Sequence, residues 1–138
     1  MQEIKIFFYD QMMCEGMLSR YKIKCKIMSI EYAFTYGLLR YSNNKYFFYK
    51  SKRPKLIFGK LFTLLISDED LYILKLCYSV YKLNKITCTP LYRVKDLYTC
   101  NYQTKKEVQA YVFESCINTF KDNRRADSGN MSKYINLF

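Results

Sequence analysis

The sequence contains no histidine, which restricts the chemistry that its side chains can perform. Nucleophilic catalysis by a Ser–His or Cys–His pair is therefore excluded, as is general acid–base catalysis by an imidazole. An enzyme built on this chain would have to work through carboxylates, tyrosines, lysines or cysteines.

The cysteines do not form a recognisable metal or disulfide pattern. Six of them, at positions 14, 25, 77, 88, 100 and 116, are spread singly through apolar segments. They lack Cys-x-x-Cys spacing, and without histidine they do not match a Cys–His zinc site, so we predict no metal site and no cofactor. Buried free thiols fit this distribution better than disulfides.

Positive charge is concentrated in residues 21–60. This block holds ten basic residues and one acidic residue, so it contributes +9 to the chain's net charge of +11. This block predicts a basic binding surface for phosphates, interleaved with aromatic residues. The alternative is a solvated sheet face whose lysines prevent edge association. The candidate residues of this surface are Lys22, Lys24, Lys26, Lys45, Lys52, Arg53 and Lys55.

The central stretch of the chain predicts a buried strand followed by a helix. Residues Ile57–Ile66 are almost continuously apolar, which is typical of a strand covered on both faces, and Gly59 indicates a close approach to its backbone. Ser67 is a predicted N-cap, and three acidic residues fill the first turn. The helix is predicted from about Leu71 to Leu83, with an inward stripe at Leu71, Leu74, Tyr78 and Tyr81.

Short strands and turns make up the remainder of the prediction. Strands are expected at Ile4–Tyr9, Tyr21–Met28 and Ile30–Tyr41, and Lys45–Lys50 returns as the second arm of a hairpin. In Tyr21–Met28 the lysines at 22, 24 and 26 share one face and Ile23, Cys25 and Ile27 the other. Asn84–Pro90 is expected to be a loop, followed by a hairpin of Leu91–Cys100 and Glu107–Phe113.

This order predicts one α+β domain, residues 1–113, whose mixed, curled β-sheet or partial barrel surrounds one main helix. Residues 114–138 form a C-terminal extension that we expect to be partly mobile. The sequence has neither a signal peptide nor an apolar stretch of membrane-spanning length, which predicts a cytoplasmic protein that does not engage a membrane.

The order and spacing resemble the gamma-glutamylcyclotransferase-like (AIG2-like) fold family over most of residues 4–113. That family has a Tyr-Gly loop after its first strand, a glycine-containing strand, an acidic helix start, and Tyr-x-Arg opening a late strand. The corresponding segments here are Tyr9–Met12, Ile57–Leu64, Asp70–Ser79 and Tyr92–Val94, with Gln109–Val112 as the partner of the late strand.

The resemblance implies that the active site is altered. The glutamate that acts as general acid–base in the family aligns with Tyr78, and the aspartate before it aligns with Lys75. A phenol holds its proton at neutral pH and is a poor base. Asp10 replaces the loop glycine that lets backbone amides hold the substrate carboxylate. The implied site is therefore a degenerate pocket formed by Tyr9, Asp10, Gln11, Met12 and Tyr78, with no catalytic residue.

Three functions remain open. The first is a non-catalytic binding protein on this scaffold, with a host protein as partner. The second is an active cyclotransferase-like enzyme for gamma-glutamyl amines, with a carboxylate such as Asp10, Glu15 or Glu31 as a relocated base. The third is a small basic nucleic-acid-binding protein.

The wealth of Lys, Asn, Ile, Tyr and Phe indicates an AT-rich genome and favours a viral or phage accessory protein, located in the host cytoplasm. The same bias inflates lysine content without selection for binding. The sequence leaves open whether the chain is a monomer or a homodimer.

Overall fold

The computed structural model of the protein describes residues 1–10, 24–42, 45–76, 81–95, 100–116 and 125–126. Strands make up most of these residues, and one short helix, α1 (Asp68–Leu76), lies within them. The strands are β1 (Gln2–Phe8), β2 (Cys25–Ser42), β3 (Lys45–Tyr49), β4 (Lys55–Ile66), β5 (Tyr81–Lys95), β6 (Cys100–Thr104), β7 (Val108–Ser115) and β8 (Arg125–Ala126).

Five strands close into a barrel in the order β1–β4–β2–β5–β7 and back to β1. All of these pairs are antiparallel except β1 with β7, which is parallel and joins Ile6 to Tyr111 and Phe7 to Val112. The β3 strand pairs with β2 and β7, β6 extends β5, and β8 pairs with β2. The expected α+β class with a partial barrel is thus correct only in part, because the described chain is mainly β and the barrel is closed.

The β5 strand accounts for the largest difference from the sequence prediction. Tyr81–Leu83 begin this strand instead of ending the helix, and the predicted loop Asn84–Pro90 lies inside it. Residues 81–88 pair with β7, Pro90 pairs with β2, and residues 91–95 pair with β6. These long-range pairings outweigh the local turn preference of Asn84 and Pro90, since strand formation depends mostly on the tertiary environment.

The β2 strand joins two predicted strands into one of 18 residues. A register shift between Ile27 and Ser29 places a bulge at this point of its pairing with β4. Before the bulge, Cys25, Lys26 and Ile27 pair in regular register with β4. Ile27 is exposed and Cys25 is only half-buried, so the apolar side of the lysine-rich segment does not point wholly into the core.

The β4 strand confirms the predicted double burial in its second half. Residues 61–64 are all buried, while Leu56, Phe58 and Lys60 on the outward side of the first half are not. The close approach predicted at Gly59 is also present. A Cβ atom there would overlap the carbonyl oxygen of Phe8 and would lie 2.7 Å from the Phe7 ring.

The helix begins as the sequence predicts. The Ser67 hydroxyl accepts a hydrogen bond from the Asp70 amide at 3.1 Å and donates one to the Asp70 carboxylate at 3.0 Å, which satisfies an amide that the helix itself leaves unpaired. Leu71 and Leu74 join the same buried cluster as β1 and β4. Tyr78 lies outside the described residues, and Tyr81 is buried as part of β5.

No helix in the described part of the chain is long and apolar enough to cross a membrane. Of the predicted C-terminal extension, residues 114–115 complete β7 and Arg125–Ala126 pair with β2 beside Leu39 and Arg40. Most of that extension lies outside the described residues.

Candidate functional site

Tyr9 fills the end of the barrel where the sequence predicts a degenerate pocket. It follows β1 directly, and only 1% of its surface is exposed. Its hydroxyl donates a hydrogen bond to the carbonyl oxygen of Phe113 at 2.7 Å, and its ring stacks on Phe48 with centroids 5.7 Å apart. The aromatic side chain at this position is therefore a packed and satisfied part of the core.

The environment of Tyr9 also removes it from acid–base chemistry. Burial raises the pKa of its phenol well above the usual value, and the nearby Tyr81 acts in the same direction. A backbone hydrogen bond with Phe48 offsets a part of this. A phenol that keeps its proton far into the alkaline range cannot accept one from a substrate amine at neutral pH.

The other residues of the predicted pocket are described only in part. Asp10 is half-buried and close enough to Tyr9 to contribute to the raised pKa of the phenol. Gln11, Met12 and Tyr78 lie outside the described residues. Lys75, which takes the place of an aspartate in the family pattern, is exposed in the last turn of α1.

The structure separates the predicted basic surface into two groups. Lys24 and Lys26 lie at the start of β2, whereas Lys55 pairs with Gly37, roughly 35 Å farther along the same strand. Lys52 and Arg53 lie in the exposed loop that leads to Lys55. Lys22 and the side chain of Lys45 lie outside what the structure describes. The sequence did not predict this separation, because the positive charge is continuous along the chain and not on the surface.

Of the acids considered as a relocated base, Glu31 forms an ion pair. Its carboxylate accepts a hydrogen bond from the Lys105 ammonium group at 2.5 Å, in an ion pair that is partly exposed. Glu31 also contributes to raising the pKa of the buried Cys88 thiol to about 11, although burial is the main cause. Glu15 lies outside the described residues.

The cysteines match the prediction of free thiols where they are described. Cys88 is buried and Cys25 is half-buried, and both are unpaired with another cysteine. Cys116 is exposed, which differs from the expected burial. It follows β7 at the end of the described segment, where the strand no longer covers it.

A strip of aromatic side chains on the outward face of β2, β4 and β6 was not predicted. This aromatic strip consists of Tyr32, Phe34, Tyr36, Phe58 and Tyr102. Along β2 its members alternate with the buried Ala33, Thr35 and Gly37. The signal that could have revealed it was this alternation of aromatic and small residues, which predicts a strand with an aromatic outer face.

Among the described residues, open clefts lie between β1, β5 and β7 and between β2, β3, β5 and β7. One, of about 420 Å³, is lined by residues that include Lys5, Lys85, Gln109 and Tyr111, beside the short β1–β7 pairing. The other, of about 310 Å³, shares Lys85 and Gln109 and reaches Thr35 and Lys50. Lys5 is held by a 2.8 Å hydrogen bond to the Thr63 hydroxyl.

Comparisons with known proteins define the fold and not the function. No family model and no curated protein matches the sequence. Among solved structures, the solution structure of At5g39720.1 from Arabidopsis thaliana is similar to this chain, with a TM-score of 0.55 and 14% sequence identity. The similarity covers 99% of this chain and 85% of that one. At this identity the two proteins share a fold, and the similarity carries no statement about activity.

Proposed function

We propose that the chain is a non-catalytic binding protein on a gamma-glutamylcyclotransferase-like scaffold. The observation that carries the proposal is Asp10, which is half-buried directly after the buried Tyr9. In the family that the sequence resembles, a glycine follows this tyrosine and the loop receives the substrate carboxylate. Asp10 adds a negative side chain where that carboxylate would have to approach, which opposes binding of the substrate.

Two further features support the proposal. The cyclisation of a gamma-glutamyl amine needs a base that removes a proton from the attacking α-amine, and the position of that base is Tyr78 in the sequence. A closed barrel with a helix after β4 agrees with the scaffold part of the proposal.

The test is a direct assay with the purified full chain. We would incubate it with gamma-glutamyl amines and measure the released amine and the lactam by mass spectrometry. The expected result is no product above a protein-free blank. Product formation by the wild-type chain would contradict the proposal. Its loss in Asp10→Asn or Glu31→Gln would favour the enzyme with a relocated base.

The partner expected from the sequence is a host protein, bound by a viral or phage accessory protein in the host cytoplasm. This prediction would be checked by pull-down from host lysate at low and moderate salt, with and without nuclease. A discrete protein that survives both treatments would support it. Recovery of nucleic acid alone, lost as the salt concentration rises, would contradict it.

A further inference from the structure

The outward face of the barrel arranges its aromatic strip in cross-strand pairs. Phe34 lies opposite Phe58, with ring centroids 6.3 Å apart, and Tyr36 lies opposite Leu56. Phe34 also contacts Tyr36, two residues along β2, at 5.9 Å. At the other end, the rings of Tyr32 and Tyr102 meet edge to face at 6.0 Å. The rings thus form two groups on one outward face, with Phe34, Tyr36 and Phe58 in one and Tyr32 and Tyr102 in the other.

This surface is open to solvent at one end and partly covered elsewhere by its own members. Tyr36 is 61% exposed and Leu56 is 39% exposed, while Phe34 and Phe58 are half-buried. Cross-strand aromatic pairs do stabilise a sheet. Sheet stabilisation does not explain why the strip ends in the exposed pair of Tyr36 and Leu56. A contiguous apolar patch in contact with water is typical of a contact site.

The charges around the aromatic strip are positive. Lys60 lies directly opposite Tyr32, and Arg93 lies directly opposite Tyr102. At the other end of the strip, β4 is preceded by the basic loop of Lys52 and Arg53. The strand segments around the strip are 30–36, 56–62, 89–93 and 102–104, and the single carboxylate in them is Glu31. By strand alternation Glu31 points to the opposite side of β2 from Tyr32. Its carboxylate pairs with Lys105.

Flat rings flanked by cations fit a ligand that offers both π-faces and negative charge. Nucleic-acid bases and phosphates provide this combination, and stacking on aromatic side chains is tolerant of base identity. The bases must be unpaired to reach the rings, because a duplex keeps its base faces stacked inside. Phe34 and Tyr36 follow one another at about 7 Å along β2, and Tyr36 is the more exposed of the two at 61%. This spacing allows successive bases to meet successive rings.

We propose that the aromatic strip binds single-stranded nucleic acid, with bases stacked on Phe34, Tyr36 and Phe58 and phosphates near Lys60, Arg93 and the basic loop. This inference rests on the proposed function in one respect, that the chain acts by binding. It replaces the surface predicted from the lysine-rich sequence with a different one. Of the basic residues predicted there, Lys52 and Arg53 belong to the new surface.

The test uses fluorescence anisotropy of the purified full chain with labelled single strands of about 12 nucleotides, as oligo-U and oligo-dT, and a duplex of the same length. Single strands should bind more tightly than the duplex. Tyr36→Ala should weaken single-strand binding by about tenfold or more, as expected when one base no longer stacks on a ring. Tyr72→Ala is the matched control, since Tyr72 is 64% exposed on α1 and lies outside the strip.

A second pair of variants separates stacking from charge. Lys60→Gln should reduce the slope of log K against log salt by about 0.7, which is the change expected when one phosphate of a single strand is no longer neutralised. Tyr36→Ala should leave that slope unchanged. Circular dichroism and thermal unfolding of each variant would show that the barrel is retained, and Tyr36 is exposed enough for truncation to be tolerated.

Three results would overturn the inference. The first is equal binding by the Tyr36→Ala and Tyr72→Ala proteins. The second is equal affinity for duplex and single strand, which would indicate non-specific attraction to positive charge. The third is a combined result in which no oligonucleotide binds, while the pull-down recovers a nuclease-resistant protein with the wild-type chain and not with Tyr36→Ala. That result would assign the strip to a protein partner. None of these outcomes produces turnover, so failure of this inference is distinguishable from failure of the proposed function.

Discussion

The Tyr9 hydroxyl ties the end of β1 to β7 through a buried hydrogen bond. If Tyr9 is changed to Phe, the ring can still stack on Phe48, but the Phe113 carbonyl oxygen loses this 2.7 Å hydrogen bond. Loss of one intramolecular hydrogen bond costs about 0.5–1.5 kcal/mol. We expect Tyr9→Phe to lower the free energy of unfolding by this amount at pH 8, measured by urea titration. Tyr36→Phe, at an exposed position, is the control.

The stability deficit of Tyr9→Phe should shrink at alkaline pH. In the folded wild-type chain the pKa of the Tyr9 phenol lies well above 10, whereas in the unfolded chain it is near 10. Above pH 10 the unfolded state therefore loses a proton that the folded state retains, so wild-type stability falls as the pH rises. The Phe variant lacks this contribution. Urea titrations at pH 8 and above pH 10 would show it, and a constant deficit would contradict the assignment.

The exposed Cys116 and the buried Cys88 should differ in reactivity. Burial raises the pKa of Cys88 to about 11, and the thiolate is the form that reacts with alkylating reagents. In the native protein we expect iodoacetamide to label Cys116 within minutes at pH 8 and Cys88 much more slowly, as measured by peptide mass spectrometry. Labelling in urea is the control. Equal native rates for the two thiols would show that Cys88 is more accessible than the structure indicates.

At the scale of single elements, Gly59 limits how β4 and β1 can pack. The Cβ atom of an alanine would overlap the Phe8 carbonyl oxygen, which β1–β4 pairing holds in place. We expect Gly59→Ala to destabilise the protein by about 3 kcal/mol, measured by thermal or urea unfolding. Gly37→Ala should cost less, because its nearest contacts are atoms of the Phe48 ring, which can shift more readily than backbone. The reverse order would contradict this explanation.

The elements that the sequence predicted correctly are those specified by local residues. The β1 strand, the β2–β3 hairpin, β4 and the Ser67 cap each follow from apolar runs, turn residues or a capping side chain. The β5 strand could not be predicted in this way. Its Asn84 and Pro90 favour a loop locally, and only pairing with β7, β2 and β6 makes the segment extended.

The candidate sites were predictable to a smaller degree. The sequence identified Tyr9 as part of an altered pocket, but its burial depends on Phe48 and Phe113, which lie far away in the chain. The basic residues were identified individually, yet the 18-residue length of β2 separates them into two groups. The aromatic strip combines residues from β2, β4 and β6, so its existence depends on a register that no local pattern specifies.

At the scale of the whole molecule, the net charge of +11 should make stability dependent on ionic strength. Repulsion among like charges opposes the compact state. At 0.1 M salt, repulsion between exposed charges that are more than about 10 Å apart is largely screened. We therefore expect the Tm to rise as NaCl is added. A double variant, Lys24→Gln with Lys26→Gln, should show a smaller rise, because both side chains are exposed and close to each other on β2. A Tm that falls with added salt would contradict this expectation.

The parallel β1–β7 contact has a consequence for synthesis of the chain. The barrel closes only when Ile6 and Phe7 meet Tyr111 and Val112, two segments separated by about a hundred positions in sequence. A nascent chain can form the β2–β3 hairpin and pair β1 with β4 early, but the other edge of β1 must wait until β7 has left the ribosome. Until then that edge remains open to association with other chains. Slow translation or the absence of chaperones should therefore reduce the yield of folded protein more than it would for a helical domain of equal size.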